Sequence, residues 1–167
     1  GVVGVISAAG LLLSATSVQA ALSPAVDGMV YDDVLDLCWL QDASASGTLI
    51  WDQAVAWADN LVFGGHDDWR LAQMSNTSPT PSITVCDGNN EVACRTSGNE
   101  LGYMFWHNLP GPFPKTGNLG PFTNIPTTAI WSGTEQITIF AWGLIPGNGS
   151  QGNTVKAAPL NGWAVRP

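Results

Sequence analysis

Apolar residues recur at helical spacing between residues 51 and 62. Trp51, Ala54, Val55, Ala58, Leu61 and Val62 fall at i, i+3, i+4 and i+7, which predicts an amphipathic helix with one buried face. Gly64-Gly65 is expected to stop it, because glycine takes the left-handed C-cap conformation without steric cost. Residues 67–71, DDWRL, then place apolar side chains on alternate positions, the period of a strand. Upstream, residues 28–31 and 37–40 read as two short strands joined by an acidic turn carrying Asp32, Asp33 and Asp36. Downstream, a second helix is expected over residues 99–109. Ser97 and Glu100 fit a capping box at its start, Leu101, Met104, Phe105 and Leu109 track one face, and Pro110 ends it. Residues 111–126 read as a Pro/Gly-rich loop. Further strands are expected at 128–132, 137–144 and 162–165, connected by Asn/Gly-rich tracts such as 146–153. The order strands, helix, helix, strands is an α+β plan in which the two chain ends pair in one sheet.

The start of the chain adds an address. Residues 2–13, VVGVISAAGLLL, are an unbroken apolar and small-residue run, shorter than the ~20 residues of a comfortable membrane span. Val18-Gln19-Ala20 then offers signal peptidase a cleavage site. A secretory leader over residues 1–20, truncated at its start and cleaved after Ala20, is therefore expected. Residues 21–167 fit one domain by the usual ~100–200 residue range. That domain is expected to be secreted or held at a cell surface, with no membrane insertion of its own. Its composition agrees: 45% of residues are hydrophobic, eight are Trp, and only 11% are charged, against ~25% in an average soluble protein. A net charge of −8, with five scattered Lys and Arg, excludes nucleic acid, anionic membrane and sulfated polysaccharide as partners, because each needs a basic patch.

Candidate chemistry is sparse. Cys86 and Cys94 bracket a polar loop and suit a disulfide in an oxidising compartment, worth roughly 2–3 kcal/mol by chain entropy. Cys38, in Leu37-Cys38-Trp39-Leu40, reads as a small buried hydrophobe. His66 and His107 have no ligand-spaced neighbour, so no zinc site is expected. No nucleophile elbow appears, and Asp67-Asp68 on adjacent strand positions point to opposite faces and cannot flank one bond. Asp68 is expected to order Arg70 or a backbone turn. The Asp32, Asp33, Asp36 turn lacks the spacing and glycine of a calcium loop and reads as a solvated turn. No catalysis, cofactor or metal is expected.

Four blocks, in order, resemble the Lcl C-terminal-domain family of bacterial surface proteins. They are VYDDVLDLCWLQDA (30–43), WDQAVAWADNLVFGGHDDWRL (51–71), SGNELGYMF (97–105) with GPFTN (120–124), and IWSGTE (130–135) with AVRP (164–167). The resemblance implies a C-type-lectin-like fold, two helices packed on a small antiparallel sheet with long Gly/Asn/Pro-rich loops, and an adhesin-like role on a Gram-negative surface. Neither Glu-Pro-Asn nor Gln-Pro-Asp, through which calcium-dependent lectins hold sugar, is present. The cysteine pair lies away from the C-terminal region where the formylglycine-generating oxidases of the wider fold keep theirs. Ile50 stands where a Thr or Ser cap is expected before Trp51. Within the blocks, Trp39, Trp51, Trp57, Trp69, Arg70, Trp131 and Trp163 are expected to be structural core. Trp106, His107, Trp142, Asn148 and Asn153 lie at element ends and in loops and are the candidate ligand-binding residues, with Asn118 and Asn124 as weaker ones. Two readings follow. One is a recognition domain for a glycan or an extracellular protein. The other is a structural module that assembles with copies of itself, and a homo-oligomer suits both.

Overall fold

Trp163 is the hub of the core. In the computed structural model, which describes residues 22–74 and 83–167, its ring meets Trp39 at 5.0 Å, Phe122 at 4.9 Å and Phe105 at 6.1 Å, each edge to face. Its indole N–H, fully buried, donates to the Leu40 carbonyl at 2.8 Å. Such edge-to-face contacts add to the apolar area each ring buries, and truncating a buried Trp of this kind costs about 3–5 kcal/mol.

The sheets carry most of the chain. Strands β1 (Met29–Asp32), β2 (Leu37–Leu40), β3 (Thr48–Leu49) and β4 (Arg70–Leu71) flank helix α1 (Trp51–Asp59). Helices α2 (Glu91–Thr96) and α3 (Glu100–Tyr103) follow, and α3 runs on into a π-helical turn, Met104–Asn108. The remaining strands are β5 (Gly117–Leu119), β6 (Phe122–Ile125), β7 (Ile130–Ile137), β8 (Phe140–Ile145), β9 (Ser150–Val155), β10 (Leu160–Gly162) and β11 (Ala164–Arg166). One sheet has the order β1-β2-β11-β4, a second the order β3-β10-β7-β8-β9, and β5-β6 is a separate hairpin. All pairs are antiparallel except β10 with β7. The C-terminal β11 lies between β2 and β4, with Val165 opposite Trp39 and Arg70. The two ends of the domain thus close one sheet. Helix α1 packs on β4, β10 and β7 and bridges the two sheets.

Several expectations are corrected. Helix α1 ends at Asp59, where the Asn60 side chain donates to Ala56 O at 2.7 Å. Gly64 and Gly65, with φ of +61° and +80°, instead form the tight turn that returns Phe63 to His66, as paired positive-φ residues do in hairpin turns. Val62 consequently points outward, 74% exposed. The strand expected over 67–71 is only Arg70–Leu71, and Asp68 pairs with Arg166 through two bonds of 2.6 and 2.9 Å rather than with Arg70. The 99–109 helix begins later, changes to π pitch at Met104, and is capped by Asn99, whose Oδ1 accepts the Gly102 N–H at 2.8 Å. Ser97 donates to Cys94 O, and Glu100 turns away to Arg70. The loops expected over 111–126 and 146–153 contain β5, β6 and most of β9. Cys38 is free and half-buried, and Asp32 is fully buried rather than solvated. Trp39, Trp69, Trp131 and Trp163 are buried, whereas Trp51 and Trp57 are half-buried at the edge of the core. As its sequence suggests, Ile50 gives α1 no side-chain cap bond. The expected leader and its cleavage after Ala20 lie outside the described residues. Among the described residues, no helix is long and apolar enough to cross a membrane.

Candidate functional site

The candidate ligand-binding residues separate into three places. Trp106 donates its indole N–H to Gly149 O at 3.1 Å and meets the Phe113 ring at 4.8 Å. Gly149 has φ +72°, and a Cβ there would come within 2.5 Å of Phe113 Cζ and 2.8 Å of Trp106 Cε2. The two rings therefore clamp the β8–β9 turn, and Trp106 is committed to structure. Asn148, in the same turn, is exposed and accepts the Ser150 N–H at 2.9 Å, an Asx turn. Trp142 and Asn153 are opposite each other on β8 and β9, and Asn153 donates to Gln136 Oε1 at 2.6 Å. His107 stands apart, stacked on Tyr103 at 5.1 Å with its Nε2 buried and unpaired. Burial is the main cause that lowers its pKa, which favours the neutral imidazole. Asn118 accepts the Asn124 N–H across the β5–β6 turn.

What the residues around Asn153 enclose is a trough of about 340 Å³ on one face of β8–β9. Ser150, Gly152 and Thr154 share one face of β9, opposite Ile145, Gly143 and Ala141 in register, and Gln151 and Asn153 line the trough as well. Gly143 and Gly152 are cross-strand partners and leave its floor without side chains. They are glycine for different reasons. A Cβ on Gly143 would strike the Ile130 carbonyl at 2.6 Å, whereas one on Gly152 would meet nothing within 4 Å. Ile145, Leu160 and Ala129 supply apolar walls, and no charged residue lines the trough.

The trough is tied to the rest of the fold through β9. Gln151, which also lines the trough, accepts the Cys86 N–H at 3.0 Å and the Asn99 Nδ2–H at 2.7 Å, and donates to Cys86 O at 2.8 Å. Cys86 and Cys94 form a buried disulfide with Cα atoms 5.1 Å apart. Gly102 faces this junction, where a Cβ would come within 2.7 Å of both Cys86 Sγ and Gln151 Oε1. Disulfide, helix start and strand edge therefore converge on one amide. A bidentate Arg70–Glu100 bridge, at 2.7 and 2.6 Å, fixes the same helix to β4, and Glu100 also takes the Gln73 N–H at 2.8 Å. Lys115, 4% exposed, caps the far end of the helix by donating its ammonium to the Phe105 and Leu109 carbonyls. Burial lowers its pKa.

The chain is thus an α+β domain with an uncharged surface trough on β8–β9. Among the described residues, no three His, Cys, Asp or Glu side chains stand close enough to hold a metal ion. The model of the Lcl C-terminal domain family matches residues 28–166, and the chain belongs to that family. A search of curated proteins returns no match. Asn153 alone of the candidate residues lines the trough. Ser150, Gln151, Gly152 and Thr154 were missed, and their signal was a run of small and polar residues in a tract rich in Gly and Asn.

Proposed function

We propose that this protein is a secreted or surface-held recognition domain on a C-type-lectin-like plan, without catalysis, that binds an uncharged, hydroxyl-rich ligand across β8–β9. A neutral glycan is the ligand class the chemistry favours. The observation that carries this reading is the trough itself. Its floor is two facing glycines, its polar groups include the Ser150 and Thr154 hydroxyls, and its walls are aliphatic. Sugars present such alternation of hydroxyls and C–H faces, and preformed clefts with a few convergent polar groups are where small ligands bind. An acidic surface repels anionic ligands from the same place. The test is a glycan-array screen of the protein with calcium and again with chelator. Saturable binding to a neutral glycan, unchanged by chelator, supports the reading; a blank array in both conditions overturns it.

A second reading, self-assembly, rests on a different observation. Ile50, Ile139 and Val155 line one cleft, and Ile137 lies on the same hairpin as Ile139. All four are exposed, Ile139 by 59%. Grouped exposed apolar residues mark association surfaces. Sedimentation velocity over a concentration series tests it, with growth of higher species supporting assembly and a constant monomer refuting it.

A further inference from the structure

A second cleft, of about 190 Å³, lies between the β1–β2 hairpin and the end of α1 and shares no lining residue with the trough. Trp57, Phe63, Leu40 and Leu61 form its apolar lining, and Gln41 and Asp42 its polar rim. We propose that this cleft binds a quaternary-ammonium group, a choline-type headgroup, held over aromatic rings and beside the Asp42 carboxylate.

Three observations carry the assignment. The first is that the cleft is built in advance. Phe63 is fixed by backbone bonds in both directions with His66, and its carbonyl also accepts the Trp69 indole N–H at 3.3 Å. Its ring sits on Gly28, which has φ +77° and where a Cβ would come within 2.7 Å of Phe63 Cζ. The ring is still 36% exposed, so part of it stays open to a ligand. Trp57 is half-buried on α1 and lines the same cleft.

The second observation is charge. Asp42 Oδ1 accepts the Ser44 N–H at 2.9 Å, and its carboxylate is in no ion pair among the described residues. Arg70, Lys156 and Arg166 are paired with Glu100, Glu135 and Asp68. Lys115 is spent on helix carbonyls, and Arg95 belongs to α2. With a net charge of −8 on the whole chain, the cleft attracts cations and repels anions. A cation over Trp or Phe faces gains further from the ring quadrupole.

The third observation selects the kind of cation. A primary ammonium carries three N–H donors and needs acceptors for them. The rim offers only Asp42 and Gln41, and the Gln41 amide nitrogen is already turned to Pro121 O at 3.1 Å. The remaining walls, Leu40, Leu61 and Ala45, give methyl groups apolar contact and give N–H groups nothing. A methylated ammonium has no donors to satisfy and fits this lining.

Free choline and the headgroup of phosphatidylcholine present the same chemistry, and one experiment separates them. Choline and its neutral carbon isostere, 3,3-dimethyl-1-butanol, are titrated into the full-length protein while the Trp57 indole N–H is followed by 15N-edited NMR. Choline is expected to shift this resonance saturably, with at least ~5-fold higher affinity than the isostere. D42N keeps an oxygen for Ser44 and is expected to weaken choline ~5–10-fold, leaving the isostere and the melting temperature unchanged. Equal affinities for the two ligands, no Trp57 response, or an unaltered choline affinity in D42N would each overturn the proposal. Flotation with phosphatidylcholine vesicles, competed by choline, assigns a lipid source. Choline binding without flotation assigns a free ligand.

Discussion

Asp32 offers the sharpest perturbation. It is fully buried at the end of β1, and it holds the 33–36 turn by accepting the Val34 and Leu35 N–H groups, both at 3.1 Å. Its second oxygen accepts the Asn108 Nδ2–H, tying the turn to the π-helical segment. Asn108 Oδ1 is buried and unpaired, and the Trp39 indole N–H lies near the carboxyl but outside hydrogen-bond geometry. Burial is the largest influence on Asp32 and raises its pKa above the ordinary 3.8. Asp32→Ala strands three donors. Two sit in a half-buried turn that water can reach, so the loss comes to about 3 kcal/mol, within the ~1–3 kcal/mol typical of each unsatisfied buried group. Asp32→Asn behaves differently. Its oxygen keeps the Val34 and Leu35 bonds, and its NH2 can donate to Asn108 Oδ1 once the Asn108 amide turns over. It therefore costs less than ~1 kcal/mol at neutral pH. The pH dependence has a definite sign. With its folded pKa raised, Asp32 contributes stability that is fully present below pH 3.8 and lost as pH rises through the folded pKa. Acidification should thus stabilise the wild type relative to Asp32→Asn. Urea unfolding of the three proteins at neutral pH and near pH 4 reads both effects. If Asp32→Asn is as damaging as Asp32→Ala, or if the wild-type advantage does not grow on acidification, the reasoning fails.

Other outcomes follow from the same contacts. Glu100→Gln, which breaks a charged three-bond junction, should cost about 2 kcal/mol and lower the melting temperature by about 4–8 °C; an unchanged melt would show that Arg70 holds the helix without it. Replacing Cys86 and Cys94 together by Ala should cost about 2–3 kcal/mol in urea, and an equal urea midpoint with and without reductant would refute the staple. The Tyr103 hydroxyl donates to Glu91 at 3.0 Å, and burial first, then Glu91, pushes its pKa from 10.0 up to about 12. The stability this contributes is present below pH 10 and lost as pH rises through about 12, so an ultraviolet titration finding both tyrosines ionised together near pH 10 would contradict the burial argument.

Much of the frame was legible because it obeys local periods. The β1–β2 hairpin and α1 repeat apolar residues at 2.0 and 3.6, and the pairing of the chain ends through β11 and β2 follows from their apolar patterns. The failures came where a partner lies far along the chain. Glu100 satisfies a local capping rule, yet Arg70, 30 residues away, outcompetes it with two charge-assisted bonds. Ser97 loses the cap to Asn99, whose other bonds run to Thr84 and Gln151. Strand β9 has no apolar alternation at all. It is a strand because β8 supplies a ladder and because Gln151 is fastened to Cys86 and Asn99. The trough needed the register that sets Gly143 opposite Gly152, a tertiary fact absent from either segment alone. Trp106 looked like a ligand platform because it ends a helix beside polar residues, but the group it serves is the Gly149 carbonyl, 43 residues along the chain and beyond four strands.

Gly152→Val tests the central claim most directly. The site accepts a side chain, since a Cβ at Gly152 meets nothing within 4 Å, and Val suits a strand. It also fills the floor of the trough. The measurement is glycan-array binding by wild type and Gly152→Val at matched melting temperature. The account predicts saturable neutral-glycan binding by the wild type and its loss in the variant. Equal binding by both would contradict it.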